Sequence, residues 1–143
     1  MKVVGLRGCR VGKMCLGILV LFLLALISPA QALDCSDTSN MTQVEMNQCA
    51  GTSYEAADAK LNATWKKLFP RLKQMDEGLS AEEKGLADTV LQAQRNWIAF
   101  RDAHCRSEGL VYRGGSIVPL IVGSCLASLT QARTRQLEQL LPE

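Results

Sequence analysis

Residue types that take part in catalysis are concentrated in the stretch 94–105, which contains Asp102, His104 and Cys105. A histidine beside a cysteine has the composition of a nucleophile pair, and Asp102 with Asp58 offers the two carboxylates of a glycan hydrolase. Neighbours in sequence diverge by about 100° on a helix, so His104 and Cys105 do not face one substrate if this stretch is helical. An arginine partner explains Asp58 better than catalysis does. The sequence therefore favours a protein that is not an enzyme.

Cysteine chemistry is the next possibility. Four cysteines lie outside the N-terminal segment described below: Cys35, Cys49, Cys105 and Cys125. There is no C-x-x-C pair and His104 is the only histidine, so we expect no metal site and no cofactor. An even number of cysteines in an exported chain predicts two disulfides. Three pairings are possible, and we favour Cys35 with Cys49 and Cys105 with Cys125, because each closes a short loop at an element boundary.

The N-terminal segment has the pattern of a Sec signal peptide. Residues 1–13 carry four basic side chains and no acid, residues 14–27 are almost all apolar, and Ala30 and Ala32 supply the small residues of a cleavage site. The apolar run is shorter than the roughly 20 residues that span a membrane. We therefore expect residues 1–32 to be removed, leaving one domain, 33–143, that is periplasmic or secreted and not bound to the membrane.

Signal removal changes the charge of the protein. The precursor has 16 basic and 14 acidic residues, and loss of four basic residues leaves a mature chain with 12 and 14, a net charge of −2. The position before Cys35 is Asp34, which argues against lipidation. A nucleic-acid partner is not expected for a mildly acidic domain.

Helical periodicity predicts three helices. The first begins with the capping box Thr42/Glu45, and Pro70 should kink it or end it near Phe69. Its inward stripe recurs at spacings of three and four: Tyr54, Asp58, Leu61, Trp65, Leu68, Leu72 and Met75.

The second helix opens with the capping box Ser80/Glu83 and should run to about Tyr112, where glycines follow. Its predicted inward residues are Leu86, Val90, Ala93, Trp97, Phe100 and His104. Ser116 can cap the third helix, although residues 115–123 could stay a loop. The third stripe is Val122, Leu126, Leu129, Arg133, Leu137 and Leu140. The predicted fold class is all-α, a three-helix up-down-up bundle cross-linked by two disulfides.

Two stripe positions hold charges. Asp58 and Arg133 lie at similar depths along the parallel first and third helices, which predicts a buried salt bridge between them. Arg101, about one turn away on the second helix, is the second candidate partner. On this interpretation Asp58→Ala costs several kcal/mol, because a buried charge would lose its partner, at about 3–5 kcal/mol.

Taken together, several residues resemble the signature of the lysozyme inhibitor LprI-like N-terminal domain family. They are Cys35, Glu45, Cys49, Ala57, Asp58, Leu61, Asn62, Gln94, Trp97, Arg101, Asp102, Cys105, Cys125, Leu126, Arg133 and Leu137. The resemblance covers residues 35–141. It implies a helical, disulfide-containing protein exported by bacteria, with a protein partner that is lysozyme in the member that names the family.

An inhibitor of this kind can work by filling the open cleft in which lysozyme holds its two catalytic carboxyl groups, as described for that enzyme in general. A mildly acidic domain would also be attracted to a basic enzyme. The predicted contact surface is a protruding turn formed by Tyr112, Arg113, Gly114, Gly115 and Ser116. Exposed acids are secondary candidates: Asp76, Glu77, Glu82 and Glu83. A non-catalytic envelope or partner-binding module is the alternative, and a small hydrolase is the third hypothesis.

Overall fold

A computed structural model describes residues 33–141 of the protein; the predicted signal peptide, 1–32, lies outside the described residues. Three α-helices follow one another: α1 (Gln43–Asp76), α2 (Leu86–Val111) and α3 (Val118–Glu138). They run up, down and up, and the described part of the chain contains no strand. The predicted all-α three-helix bundle is confirmed.

The start of α1 agrees with the sequence, but its end does not. The Thr42 hydroxyl accepts a hydrogen bond from the Glu45 backbone N–H (3.3 Å), and the Glu45 carboxylate accepts one from the Thr42 N–H (2.7 Å). Pro70 does not end the helix, which continues for six more residues to Asp76. Pro70 and Lys66, whose carbonyl loses its usual donor, are both exposed, so water can replace the missing hydrogen bond.

The beginning of α2 differs from the prediction. The Glu83 carboxylate accepts a hydrogen bond from the Ser80 backbone N–H (3.2 Å), but this turn precedes the helix, which begins only at Leu86. Asp76, at the end of α1, caps α2 instead. Its carboxylate accepts hydrogen bonds of 2.9–3.3 Å from the backbone N–H groups of residues 85–87. A distant side chain thus replaces the predicted capping box.

The buried face of α2 is rotated from the predicted one. Its buried residues are Ala87, Val90, Gln94, Arg101, Cys105 and Gly109. Leu86, Ala93, Phe100 and His104, predicted to face the core, are exposed; Phe100 is 55% exposed and stacks on the His104 ring at 5.3 Å. The prediction was wrong because it aligned the face on apolar side chains, whereas two of the buried positions are polar.

The same rotation affects α3. Its buried residues are Gly123, Ala127, Thr130, Thr134 and Leu137. Only Leu137 was predicted among them; four other predicted positions are half-buried, and Leu140 follows the helix and is exposed. The helix begins at Val118 with no side-chain cap from Ser116, and Pro119 lies in its first turn, so the alternative of a loop to Gly123 is wrong.

The two ends of the bundle have different interiors. Near the α1–α2 turn the core is aliphatic: Leu61, Leu68, Leu72, Ala87, Val90 and Leu137. Toward the α2–α3 turn the helices are in close contact through small residues. A Cβ at Gly123 would lie 3.0 Å from the Ala50 Cβ, and a Cβ at Gly109 would lie 2.5 Å from Val122 Cγ2. These glycines permit the close approach of the helices.

Both favoured disulfides are confirmed. Cys35 is bonded to Cys49 and Cys105 to Cys125, with Cα–Cα distances of 5.6 and 5.5 Å. Cys49 lies near the start of α1, while Cys105 and Cys125 join the last turns of α2 to the first turns of α3. Disulfides stabilise mainly by restricting the unfolded chain, so they compensate for the smaller aliphatic core at this end.

Candidate functional site

The connection between α2 and α3 presents apolar side chains to solvent. We call residues 110–116 the tip. Leu110, Val111 and Tyr112 are all exposed there, Val111 by 78%. The five residues predicted to contact a partner, 112–116, are exposed and belong to the tip. Sequence reasoning missed Leu110 and Val111, which it assigned only to the end of the helix.

Backbone hydrogen bonds define the shape of the tip. The Arg113 N–H donates to the Leu110 carbonyl (3.3 Å), and the Gly115 N–H donates to the Tyr112 carbonyl (3.0 Å). Between them Gly114 has a φ of +83°, in the left-handed region that residues with a Cβ rarely adopt. The glycine therefore makes the tight turn possible and projects its neighbours outward.

The tip is attached to the bundle on both sides. The Asn47 side chain of α1 donates from Nδ2 to the Ser116 carbonyl (3.0 Å), and its Oδ1 accepts from Gln43 Nε2 (2.9 Å). One turn or more before the tip, the buried Cys105 is bonded to Cys125 of α3. These bonds hold the exposed apolar residues in one arrangement before any partner binds.

A concave surface of about 650 Å³ lies beside the tip, and we call it the tip groove. Its floor is largely apolar: Gly109, Leu110, Val118, Pro119 and Val122. Arg106 and Arg113 also line it, together with Asn47 and the backbone of residues 114–116, and no acidic residue does. The groove combines an apolar floor with two cations.

A second cluster of chemistry-bearing residues surrounds the buried Arg101. Its guanidinium contacts Asp102 Oδ1 from Nη2 (2.8 Å) and from Nε (2.9 Å), and contacts Asp58 Oδ1 from Nη1 (3.6 Å). Nη1 also donates to the Thr130 hydroxyl of α3 (3.2 Å), and the group lies 5.4 Å from the Tyr54 ring centroid. Arg101 therefore connects all three helices.

The predicted Asp58–Arg133 salt bridge is wrong; the second candidate, Arg101, is the partner of Asp58. Arg133 instead donates from Nε to Gln94 Oε1 of α2 (2.9 Å). Both guanidinium groups lie over the Trp97 ring, at 5.1 Å for Arg101 and 5.9 Å for Arg133. The rotation of α2 and α3 explains the exchange, because it places Arg101 rather than Arg133 on the buried face.

The exposed acids at the opposite turn are only partly available. The Asp76 carboxylate caps α2, and Glu83 accepts a hydrogen bond within its own turn. Glu77 and Glu82 remain exposed. Leu79 is exposed at that turn as well, by 40%, but the apolar exposure is larger at the tip, where Val111 is 78% exposed, and such exposure is typical of protein contacts.

Comparison with known sequences bears on what the tip contacts. Residues 35–137 match the family described as Lysozyme inhibitor LprI. The chain belongs to the LprI family. An uncharacterized protein of Rhizobium meliloti (strain 1021) is 38% identical to it over 104 residues, 71% of this chain and 75% of that protein. No solved structure matches the chain.

Membership in the LprI family indicates a lysozyme-inhibitor-like function and a protein partner. The two disulfides agree with an exported protein, since such bonds persist in oxidising compartments. Within residues 33–141, no helix is both long enough and apolar enough to cross a membrane.

The residues considered for hydrolysis have structural partners in this member of the family. Asp58 and Asp102 both contact Arg101, and Asp58 Oδ2 also accepts a hydrogen bond from Asn62 Nδ2 (2.7 Å). Both carboxylates therefore have a structural role, since they contact the same buried guanidinium.

The only group of metal-ligand types found in residues 33–141 is His104, Glu108 and Cys125, whose ligand atoms lie within 4.8 Å of one another. His104 Nε2 lies 3.1 Å from Glu108 Oε1. The Cys125 sulfur is bonded to Cys105, so neither cysteine offers the thiolate that a metal or a nucleophilic mechanism requires.

Proposed function

We propose that this protein is an exported inhibitor of lysozyme that binds the enzyme through the tip and occludes its active-site cleft. The observation that supports the proposal is the exposure of Leu110, Val111 and Tyr112 on a turn that is fixed at both sides. Family membership supplies the class of partner.

Physical complementarity favours this arrangement. A lysozyme cleft is concave and open, and a convex turn can enter it and exclude substrate without any chemical step. Tyrosine is enriched among the residues that dominate binding energy, and Tyr112 is an exposed residue of the tip. Because the disulfide and the Asn47 hydrogen bond already order the tip, less conformational entropy is lost on binding.

The test is a tight-binding titration of the mature domain, residues 33–143, against C-, G- and I-type lysozymes at matched ionic strength. We expect inhibition of at least one class. Tyr112→Ala and Val111→Ala should each weaken inhibition by about tenfold, as truncation of a central contact residue does. Leu79→Ala is the matched control, because Leu79 is exposed in the turn at the other end of the bundle. Absence of inhibition of every class at micromolar protein would refute the proposal.

The absence of catalysis and the processing of the chain form part of the same proposal. Incubation of the domain alone with peptidoglycan should release no sugar or muropeptide product, and release would support the hydrolase hypothesis instead. Mature protein recovered from the periplasm or medium should begin at Leu33. A mature protein whose first residue lies within 1–32 would contradict cleavage after Ala32.

The remaining alternative is a non-catalytic envelope module that uses the tip to bind another protein. The same exposed surface is compatible with it. The lysozyme titration separates the two, because a module for another partner inhibits none of the three lysozyme classes.

A further inference from the structure

We infer that the tip groove is a carboxylate-binding site, in which Arg113, assisted by Arg106, binds acidic side chains of the partner. This inference rests on the proposed function, and in that complex the acidic groups are the two catalytic carboxyl groups of lysozyme. In this arrangement the tip enters the lysozyme cleft. The wall of that cleft that carries a catalytic carboxyl group then contacts the tip groove.

The first argument is charge. Arg106 and Arg113 have no carboxylate within ion-pair distance among residues 33–141, whereas the buried Arg101 has two. The groove that they line contains no acid. The nearest acidic residue in sequence, Glu108, is already paired with His104 at 3.1 Å. The two cations therefore lack a counter-ion that a partner can supply.

The second argument is orientation. Arg113 Nε donates to the Leu110 carbonyl at 3.3 Å, which fixes the guanidinium against the end of α2. Its terminal Nη1 and Nη2 groups make no hydrogen bond within the described residues, so their parallel N–H bonds can bind both oxygens of one carboxylate. Such bidentate pairs are the strong form of the arginine–carboxylate interaction.

The third argument is the apolar floor. Gly109, Val118, Pro119 and Val122 line the same groove as the two arginines and offer no competing hydrogen-bonding side chain. A partner surface that covers this floor removes water from the ion pair, and the attraction between charges is stronger in such a medium than in water. Apolar groups of the partner next to its carboxylate can also contact this floor. The groove thus fits a carboxylate presented on a largely apolar wall.

A double-mutant cycle tests the inference. Arg113→Gln and Arg106→Gln are combined with lysozyme variants in which each catalytic carboxyl group is replaced by its amide. Dissociation constants are measured calorimetrically, since the lysozyme variants are inactive. The matched control is Arg95→Gln, which removes an exposed arginine of α2 that does not line the groove. All these positions are exposed, and circular dichroism checks that the variants fold.

Against unmodified lysozyme, Arg113→Gln should weaken binding by at least about tenfold, because close charge pairs across interfaces couple by that much or more. Arg95→Gln should change it by less than about twofold. Against the amide lysozymes the effect of Arg113→Gln should largely disappear, and Arg113→Lys should restore part of the binding to the unmodified enzyme.

The two proposals fail in different ways. If the wild-type domain binds no lysozyme, the proposed function is wrong, and the tip groove does not bind the catalytic carboxyl groups of lysozyme. If the domain binds but Arg113→Gln has no effect, or has the same effect on both forms of lysozyme, the carboxylate site is wrong while inhibition through the tip stands.

Discussion

The ion pair between Arg101 and Asp58 is buried on one side only, so removal of its two members should have very different consequences. The Arg101 side chain is 7% exposed and that of Asp58 is 39% exposed. Arg101→Ala empties the space beside two aromatic rings and leaves the Thr130 hydroxyl without its donor. Asp58→Ala removes a partly hydrated carboxylate, and Arg101 keeps Asp102 at 2.8 Å.

These contacts determine the size of each effect. Truncation of a large buried side chain costs about 2–5 kcal/mol. After Arg101→Ala, Asp58 and Asp102 face solvent and regain hydration. The further free-energy cost of leaving their charges unpaired is therefore small. We expect Arg101→Ala to cost about 3 kcal/mol in total. For Asp58→Ala we expect about 1 kcal/mol or less, as for exposed pairs. This replaces the loss of several kcal/mol expected from the sequence, which assumed that Asp58 is buried.

The assay is equilibrium urea unfolding followed by far-ultraviolet circular dichroism, with both disulfides intact. The variant that carries both substitutions should be no more than slightly less stable than Arg101→Ala, because Asp58 then keeps only its exposed hydrogen bond from Asn62. Arg95→Ala, an exposed arginine of α2, is the control and should be close to neutral. Equal losses for Asp58→Ala and Arg101→Ala, or a loss below about 1 kcal/mol for Arg101→Ala, would refute the one-sided pair.

Three further predictions use the same unfolding measurement. Gly51→Ala should stabilise the protein by about 0.5–1 kcal/mol, since its Cβ meets nothing within 4 Å, whereas Gly123→Ala should destabilise it because its Cβ meets the α1 backbone at 3.1 Å. Phe100→Ala should cost less than about 1 kcal/mol, since much of the ring already faces solvent. Hydrogen bonds from the α2 backbone, that of Ala87 first, hold the pKa of Asp76 below its ordinary value of 3.8. The stability from ionised Asp76 is therefore complete above that value and is lost as pH falls through the lower folded pKa, so the difference between wild type and Asp76→Ala should shrink in acid.

Local signals predicted the helices and the disulfides. The capping box at Thr42 and the glycines after Arg113 act over a few residues, so the sequence alone predicts them. The structure contains both. The Ser80/Glu83 signal is also local, and its hydrogen bond forms, but it does not start the helix. Asp76 contacts three backbone donors at that site, and no rule of local spacing reveals that competition.

The faces of α2 and α3 could not be predicted from apolar periodicity. Gln94 is buried because it accepts a hydrogen bond from Arg133, and Arg101 is buried because it donates to Thr130. Each has a hydrogen-bonding partner on α3, which periodicity within α2 does not reveal, although Arg101 also pairs with Asp102 of its own helix. Phe100 precedes Arg101 directly and lies on the exposed side of α2, where it stacks on His104.

The candidate site was predicted in part. Its location followed from the glycines that end α2, but its chemistry depends on what α3 brings beside it. Val118 and Val122 complete the floor of the tip groove, and only that floor gives Arg106 a role next to Arg113. Arg106 lies inside a helix and has no spacing that distinguishes it from other exposed arginines, so sequence reasoning overlooked it.

The exposed acids and the arginines of the tip groove lie at opposite ends of α2, so long-range attraction by the acids and direct contact with the arginines are separate contributions to binding. The exposed acids Glu77 and Glu82 lie at the α1–α2 turn, and the tip groove with its two arginines lies at the other end of α2. A helix of 26 residues is about 39 Å long, several times the Debye length of about 8 Å at physiological ionic strength. A partner at the tip therefore experiences the two arginines much more strongly than Glu77 and Glu82. We expect contacts with the tip and its groove to contribute more to the affinity than attraction by those two acids.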